Sequence, residues 1–271
     1  MARTPHTFSR IQSLRERYHR ALSGKESLIN IINEAEIPEH VYNSNAIENS
    51  TLSLEETEKI LLQIDLDRFV SEREIHEAKN LARVMEYVET KAKEAEISAP
   101  ILLFLHKMLI ANIRNEIAGR FRTGNEWVRV GSHIGADPKD VERLVTDALS
   151  AYHADRESNV VARIARLHLA FESVHPFCDG NGRIGRVLNN YALIREGYVP
   201  INIAFTNRTR YYEAFREYDA KGGTKIMEEI VGRALTNSYH KRLAYLEGKE
   251  IITLNEYAKR RKLSHSGLIN K

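Results

Sequence analysis

The stretch His175-Pro176-Phe177-Cys178-Asp179-Gly180-Asn181-Gly182-Arg183-Ile184-Gly185-Arg186 decides how the chain is read. Apolar residues at helical spacing precede it: Val160, Val161, Ile164, Leu167, Phe171 and Val174 predict a buried helix over 159–174. Residues 183–196 read as a second helix, stopped by Gly197. Between them, Gly180, Gly182, Gly185 and Asn181 let the backbone turn tightly and expose its N–H groups. A turn of bare amides feeding a helix N-terminus is an anion site, and Arg183 and Arg186 reinforce it. Asp179 would repel a phosphate unless a cation stood between them. The stretch therefore asks for a phosphate, a divalent metal and a base, close together.

Helices on both sides also decide what the stretch is not. Gly180-x-Gly182-x-x-Gly185 matches the dinucleotide-binding fingerprint letter for letter. That fingerprint must follow a strand inside a βαβ unit, and here a helix precedes it. No Gly-Lys-Ser/Thr follows, so it is not a P-loop, and the later acidic ligands of a calcium loop are missing.

Working outward, the remaining pattern is helical, and the fold class read from it is all-α with one small hairpin. Residues 1–35 form a polar, helix-compatible leader. Pro38 marks a break, followed by a short helix over 41–49. Ser53 is an N-cap with Glu56 three residues on, opening a helix to about Ile64. An amphipathic helix spans 72–95, with Ile75, Ala78, Leu81, Ala82, Met85 and Val88 on one face, and another runs from Ser98 to about Ile113. Residues 120–130 change period, with β-formers either side of Gly124-Asn125, and predict a hairpin. Asp137-Pro138 starts a helix to about Tyr152. After Gly197 come helices over 207–219, 224–246 and 254–262. The division expected is 1–67 as an N-terminal helical region, 68–246 as the main helical core and 247–271 as the start of a C-terminal module.

Composition places the chain among ordinary soluble globular proteins, at 271 residues, 42% hydrophobic and 28% charged. The single cysteine, Cys178, excludes a disulfide framework within the chain and fits a reducing cytoplasm. Residues 1–14 hold no apolar core of signal-peptide length, and the apolar run 101–105 is far too short to span a bilayer, so no membrane is expected. Net charge is +3, and the excess is local: Lys259, Arg260, Arg261, Lys262 and Lys271 stand against Glu256 alone in residues 251–271. The body of the chain has no charge reason to bind nucleic acid; the tail has one.

Residues 175–186 resemble the signature of the Fic family, His-x-Phe-x-Asp/Glu-Gly-Asn-Gly-Arg-x-x-Arg, with every fixed position matched. The resemblance extends over roughly residues 40–220. Gly119-Arg120-Phe121-Arg122 looks like the lead into the family's flap, and Ser44-Asn45-Ala46-Ile47-Glu48-Asn49 looks like its inhibitory motif. It implies a Fic-type helical bundle with a small β-hairpin flap beside the active site. The implied activity is that of a protein adenylyltransferase, moving AMP from ATP to a Ser, Thr or Tyr hydroxyl of a target protein and of itself.

The resemblance also assigns roles. His175 is the general base, whose pKa class suits proton abstraction. Asp179 holds Mg²⁺ between the α- and β-phosphates. Gly180, Asn181 and Gly182 form the anion hole, with the Asn181 side chain at the α-phosphate and Ile184 and Gly185 in the same nucleotide-binding turn. Arg183 takes the β-phosphate and Arg186 the γ-phosphate. Val130, Gly131, Ser132 and His133 skirt the nucleotide. Tyr211, with Tyr212 beside it, lies where relatives place an aromatic against adenine. Asp219 stands where some relatives carry Asn, which leaves a pyrimidine or other nucleotide open. Phe121, Arg122, Thr123, Trp127 and Val128 form the edge that docks the target peptide. Phe177 anchors the loop in the core, and His168 is a satisfied core histidine. Ser44 and Glu48 share a helix face, with Asn49 completing the inhibitory motif. Glu48 paired with Arg186 takes the γ-phosphate's partner and sets a negative charge in its place, so the protein is autoinhibited.

The tail resembles the first part of a helix-turn-helix that some Fic proteins carry, so a complete module would contact DNA. Relatives of this type often self-associate, which implies a homodimer. Two alternatives stay open: removal of AMP at the same site, and a nucleotide-sensing DNA-binding regulator that needs the phosphate loop but no base.

Overall fold

In the computed structural model, residues 4–131, 133–248 and 256 are described. In chain order they form α1 (Thr4–Leu22), α2 (Glu26–Ile47), α3 (Leu54–Leu61), α4 (Glu72–Lys91), α5 (Ala99–Ile110), β1 (Arg129–Val130), β2 (His133–Ile134), α6 (Val141–Ala154), α7 (Val160–Val174), α8 (Asn181–Arg195), α9 (Arg208–Lys221) and α10 (Lys225–Leu246). Three short 3₁₀ turns, over 115–117, 138–140 and 205–207, join some of them. The expected all-α class with one small hairpin holds.

The centre is α7 packed on α8. Both are buried on most sides, with His168 and Glu172 of α7 and Arg183, Arg186 and Asn189 of α8 enclosed among apolar residues. Ile164, Ala165 and Leu169 of α7 and Ile184, Ala192 and Leu193 of α8 have no solvent exposure. Helix α6 and α10 pack on α7, α4 and α5 lie against α8, and α9 leans on α7 and α10. The cap signals worked as chemistry requires. Ser53 and Glu56 make a reciprocal capping box at α3, and the Asn159 side chain accepts from the Ala162 N–H to start α7.

Three expectations differ. Pro38 does not break the chain: it lies inside α2, which is continuous from Glu26 to Ile47. An interior proline costs about 3 kcal/mol in a helix standing alone. Here the flanks are held from outside, by Ile32, Ile37 and Val41 in the core and by Arg242 and Lys241 of α10 on Glu36. Residues 1–35 are not a leader either. Ile11, Leu14 and Tyr18 form a buried stripe that seats α1 on α10.

The hairpin is real but displaced. Its ladder pairs Arg129 with Ile134 and Val130 with His133, beyond the Gly124-Asn125 turn rather than around it. Residues 120–126 are instead a loop closed on itself. Glu126 takes a two-pronged contact from Arg120 and also accepts from the Thr123 N–H. Residues 249–255 and 257–271, with the expected 254–262 helix and helix-turn-helix start, lie outside the described residues, as does Ser132.

Candidate active site

Helix α7 ends at His175, which takes the left-handed conformation (φ 52°) while its N–H still bonds Phe171 O. Gly180 is left-handed as well (φ 79°) and starts α8; a Cβ there would press on Leu109 and Ile110 at 3.1 Å. Between these two points Asn181 ties the loop. Its Oδ1 accepts from the Phe177 N–H at 2.8 Å and its Nδ2 donates to Phe177 O at 2.7 Å. The side chain is thus spent inside the fold, and the expected contact of Asn181 with an α-phosphate is corrected; only its N–H at the start of α8 remains for an anion. Phe177 is the expected anchor, with no exposure.

Phe177 stacks flat on His106, centroids 3.8 Å apart. Gly119 N–H donates to His106 Nδ1, so the proton sits on Nε2, which donates to Asp179 O at 3.1 Å. Burial lowers the His106 pKa to about 4, so the ring is neutral and one tautomer bridges the Asp179 loop to the Gly119 turn. Sequence reading missed His106. Its only signal was a His106-Lys107 pair interrupting the apolar run 101–110.

A second clamp is Arg122, which is fully buried. Its guanidinium donates to His175 O at 2.7 Å, to Val174 O at 3.0 Å and to Ala136 O. The expected place of Phe121 and Arg122 on a docking edge is corrected: both are buried, because Arg122 satisfies carbonyls left open where α7 ends. Thr123 and Trp127 are exposed, but outside the cavity lining.

That cavity, about 730 Å³, is lined by Glu48 and Asn49, by Val128, Val130, Gly131 and His133, by Glu172 and His175, by Asp179 to Gly182, and by Tyr211, Tyr212 and Asp219. Most sequence-predicted site residues therefore meet in one place. Ile184 does not: it is a core residue with no exposure, because α8 turns that face toward the bundle.

His175 Nδ1 lies 3.2 Å from the Glu172 carbonyl, an acceptor, so Nδ1 carries the proton and Nε2 is the bare nitrogen. Burial lowers the His175 pKa to about 4. Burial pushes the Asp179 carboxyl up, but Arg183 and Arg73 outweigh it and hold the group below its usual range. Arg73 reaches one Asp179 oxygen at 2.7 Å and Arg183 the other at 3.2 Å, while Arg183 also meets Glu77 at 3.1 Å.

Arg186 is buried among partners. It donates to Ser44 Oγ at 2.9 Å, Ser44 O at 2.8 Å, Glu48 Oε1 at 2.9 Å and Tyr211 Oη at 3.3 Å. Glu48 Oε1 also lies over Gly182, where a Cβ would come within 2.1 Å of it. A carboxylate thus rests on the first turn of α8, at the positive end of the helix dipole. Asn49, left-handed (φ 71°), accepts from Arg208 at 2.6 Å.

Tyr211 is 2% exposed, and its hydroxyl lies 2.7 Å from His168 Nε2. Its expected stacking on adenine is corrected: the ring is packed against Phe215 and its hydroxyl is used by His168 and Arg186. His168 is a core histidine as expected, neutral because burial lowers its pKa to about 3, but it is only half satisfied: Tyr211 uses Nε2, and Nδ1 has no hydrogen-bond partner. Tyr212, half-buried, keeps a face toward the cavity. His133 reaches Ser173 O at 3.0 Å and Asp219 at 3.2 Å, closing the hairpin over the cavity mouth.

Such a core, with His175 and a glycine-rich turn between two buried helices and a hairpin alongside, has a Fic-type fold. Residues 96–193 match the Fic/DOC family model. Protein adenylyltransferase Fic of Drosophila ananassae is 28% identical over 225 residues, 78% of this chain and 45% of that protein. The protein of the same name from Nematostella vectensis is 31% identical over 180 residues, 65% of this chain and 42% of that protein. The chain spans less than half the length of these curated relatives. Among solved structures, a Fic domain-containing signaling protein from Bacteroides thetaiotaomicron superposes with a TM-score of 0.80 at 22% identity, over 90% of this chain and 99% of that one. Fic-1 (residues 134–508) of C. elegans gives 0.76 at 25% identity, over 89% of this chain and 71% of that one. No described helix is long and apolar enough to cross a membrane.

Proposed function

We propose that this chain transfers AMP from ATP to a hydroxyl side chain of a protein, and that Glu48 holds it inactive. The observation that carries the reading is the Glu48 carboxylate, resting over Gly182 and paired with Arg186 at 2.9 Å. A carboxylate occupying a buried arginine and a helix N-terminus stands where a phosphate would bind.

His175 is neutral near pH 7, with Nδ1–H directed at a carbonyl and Nε2 bare. It takes the proton of the target hydroxyl as the oxygen attacks the α-phosphorus and the bond to pyrophosphate breaks. The N–H groups at the start of α8, with Arg183 and Arg186, receive the charge that moves onto the leaving group. Asp179 is an ionised carboxylate at the turn and would hold Mg²⁺ together with substrate phosphates in exchange for Arg73 and Arg183, which now take its two oxygens. When bound, the ion neutralises phosphate charge. Exposed Val130 and the neighbouring strand edge hold the target's main chain beside His175.

With Glu48 in place, Arg186 is unavailable and the γ-phosphate meets a negative charge. Incubating wild type and Glu48→Gly with labelled ATP and Mg²⁺ tests both parts. Self-labelling of the variant is expected to rise by at least about tenfold, the effect of restoring one charged contact. Equal labelling of the two proteins removes the off-switch. Absence of labelling in both, on themselves and on added lysate, removes the transfer reading.

A further inference from the structure

One buried ionisable group in the cavity has no part in the chemistry above. Glu172 stands one helical turn before His175 on α7 and is 8% exposed. Its Oε2 is 3.6 Å from His175 Nδ1, ion-pair distance rather than a hydrogen bond. Its Oε1 has no hydrogen-bond partner. That oxygen instead lies against Gly185 of α8, where a Cβ would come within 2.2 Å. So one turn of α8 lacks a side chain at the spot where the carboxyl sits. Any residue larger than glycine at 185 would push the carboxyl away from His175.

The groups around it are few. His175 and His168 face it from α7, Arg186 from α8, Glu48 from the end of α2 and Tyr211 from α9. His175 in turn faces His133 and Arg122, which both disfavour a positive ring. Taking a proton at Nε2 therefore makes an imidazolium in a buried place where two cationic or potentially cationic neighbours oppose it. Glu172 is the carboxyl nearest the ring.

We propose that Glu172 is a positioning residue that balances charge for His175, its carboxylate pairing with the imidazolium that forms when His175 takes the hydroxyl proton, and that Gly185 makes room for it. The inference rests on the transfer reading for its kinetic consequence but not for its placement. The proton moves from the target oxygen to Nε2; the Nδ1–H stays on the ring, held by the Glu172 carbonyl and facing the carboxylate. Burial pushes the Glu172 pKa up to about 8, with Glu48 adding to the rise and Arg186 opposing it. The ionised form that strengthens His175 as a base accordingly grows in as pH rises through that value.

Two measurements test this. In the Glu48→Gly background, Glu172→Gln keeps shape and burial but not charge. It is expected to lower kcat about tenfold, less than the loss of the general base itself, with the KM for ATP within about twofold, and to abolish the rise in rate that Glu172 ionisation gives, which in this background lies below pH 8 because the Glu48 charge is gone. Gly185→Ala is expected to give the same loss of that rise with Glu172 chemically intact. The second measurement needs no activity. The ring signals of His175, followed by NMR against pH, should show a step near pH 8 in the wild type that Glu172→Gln lacks. If Glu48→Gly proves inactive, the transfer reading falls and the NMR step alone decides the placement. An unchanged pH–rate profile in Glu172→Gln, or the same His175 titration in both proteins, overturns the proposal.

Discussion

The two segments that face each other across the cavity are built by different rules. From 171 to 182 the chain is held largely by its own near neighbours: His175 by Phe171, Phe177 by Asn181, and the start of α8 by Gly180. From 119 to 134 the chain is placed from elsewhere. His106 takes the Gly119 N–H, Arg122 grips the end of α7, and His133 leans on Ser173 and Asp219. A segment that satisfies its own polar groups can be read locally. A segment that satisfies someone else's cannot.

Arg122→Leu puts the greatest load on that contrast. It strips several carbonyls of a buried charged donor and is expected to lower stability by about 3 kcal/mol, read by chemical denaturation. Hydrogen exchange should then quicken at 121–136 while the amides of 177–181 stay protected. Equal loss in both segments would mean that the turn is not self-sufficient.

Acid is the next lever. His106 and His175 have folded pKa values near 4 and His168 and His40 near 3, below the unfolded value of 6.5. The unfolded chain binds more protons in this window, so the stability these rings contribute is present above pH 6.5 and is lost as pH falls toward 4 and 3. Tm should drop steadily from pH 6.5 to 4, and His106→Asn should make that drop shallower. A flat Tm over this range would break the assignment of neutral, buried rings.

The smallest effect belongs to Trp127, which is 56% exposed. Trp127→Ala is expected to change stability by less than about 0.5 kcal/mol, as for a surface residue, while altering which proteins are labelled. A large stability loss would put this side chain in the fold rather than on a docking surface.

Much of the fold and of the site was legible, for reasons that differ by residue. The α7–turn–α8 unit was legible because helical periodicity and glycine placement are local properties. Glu48 with Arg186 came from the resemblance, and its geometry followed. The displaced hairpin was not legible: β-formers flank Gly124-Asn125 well enough, but the Arg120–Glu126 ion pair and the burial of Arg122 close that loop differently. Tyr211 was misplaced because the sequence cannot tell which face of α9 meets His168.

By itself the sequence determined the helical class and the glycine-rich turn that joins α7 to α8, with His175, Asp179 and two arginines crowded in it. These depend on period, on backbone freedom and on which groups are charged. Only the tertiary structure decided that α2 runs through Pro38, that His106 and Arg122 tie the 119–122 segment to the turn after α7, and that Glu172 shares its space with Gly185. Each of those is a contact between residues distant in the chain or on facing helices, and its energy comes from burial that no single segment possesses alone.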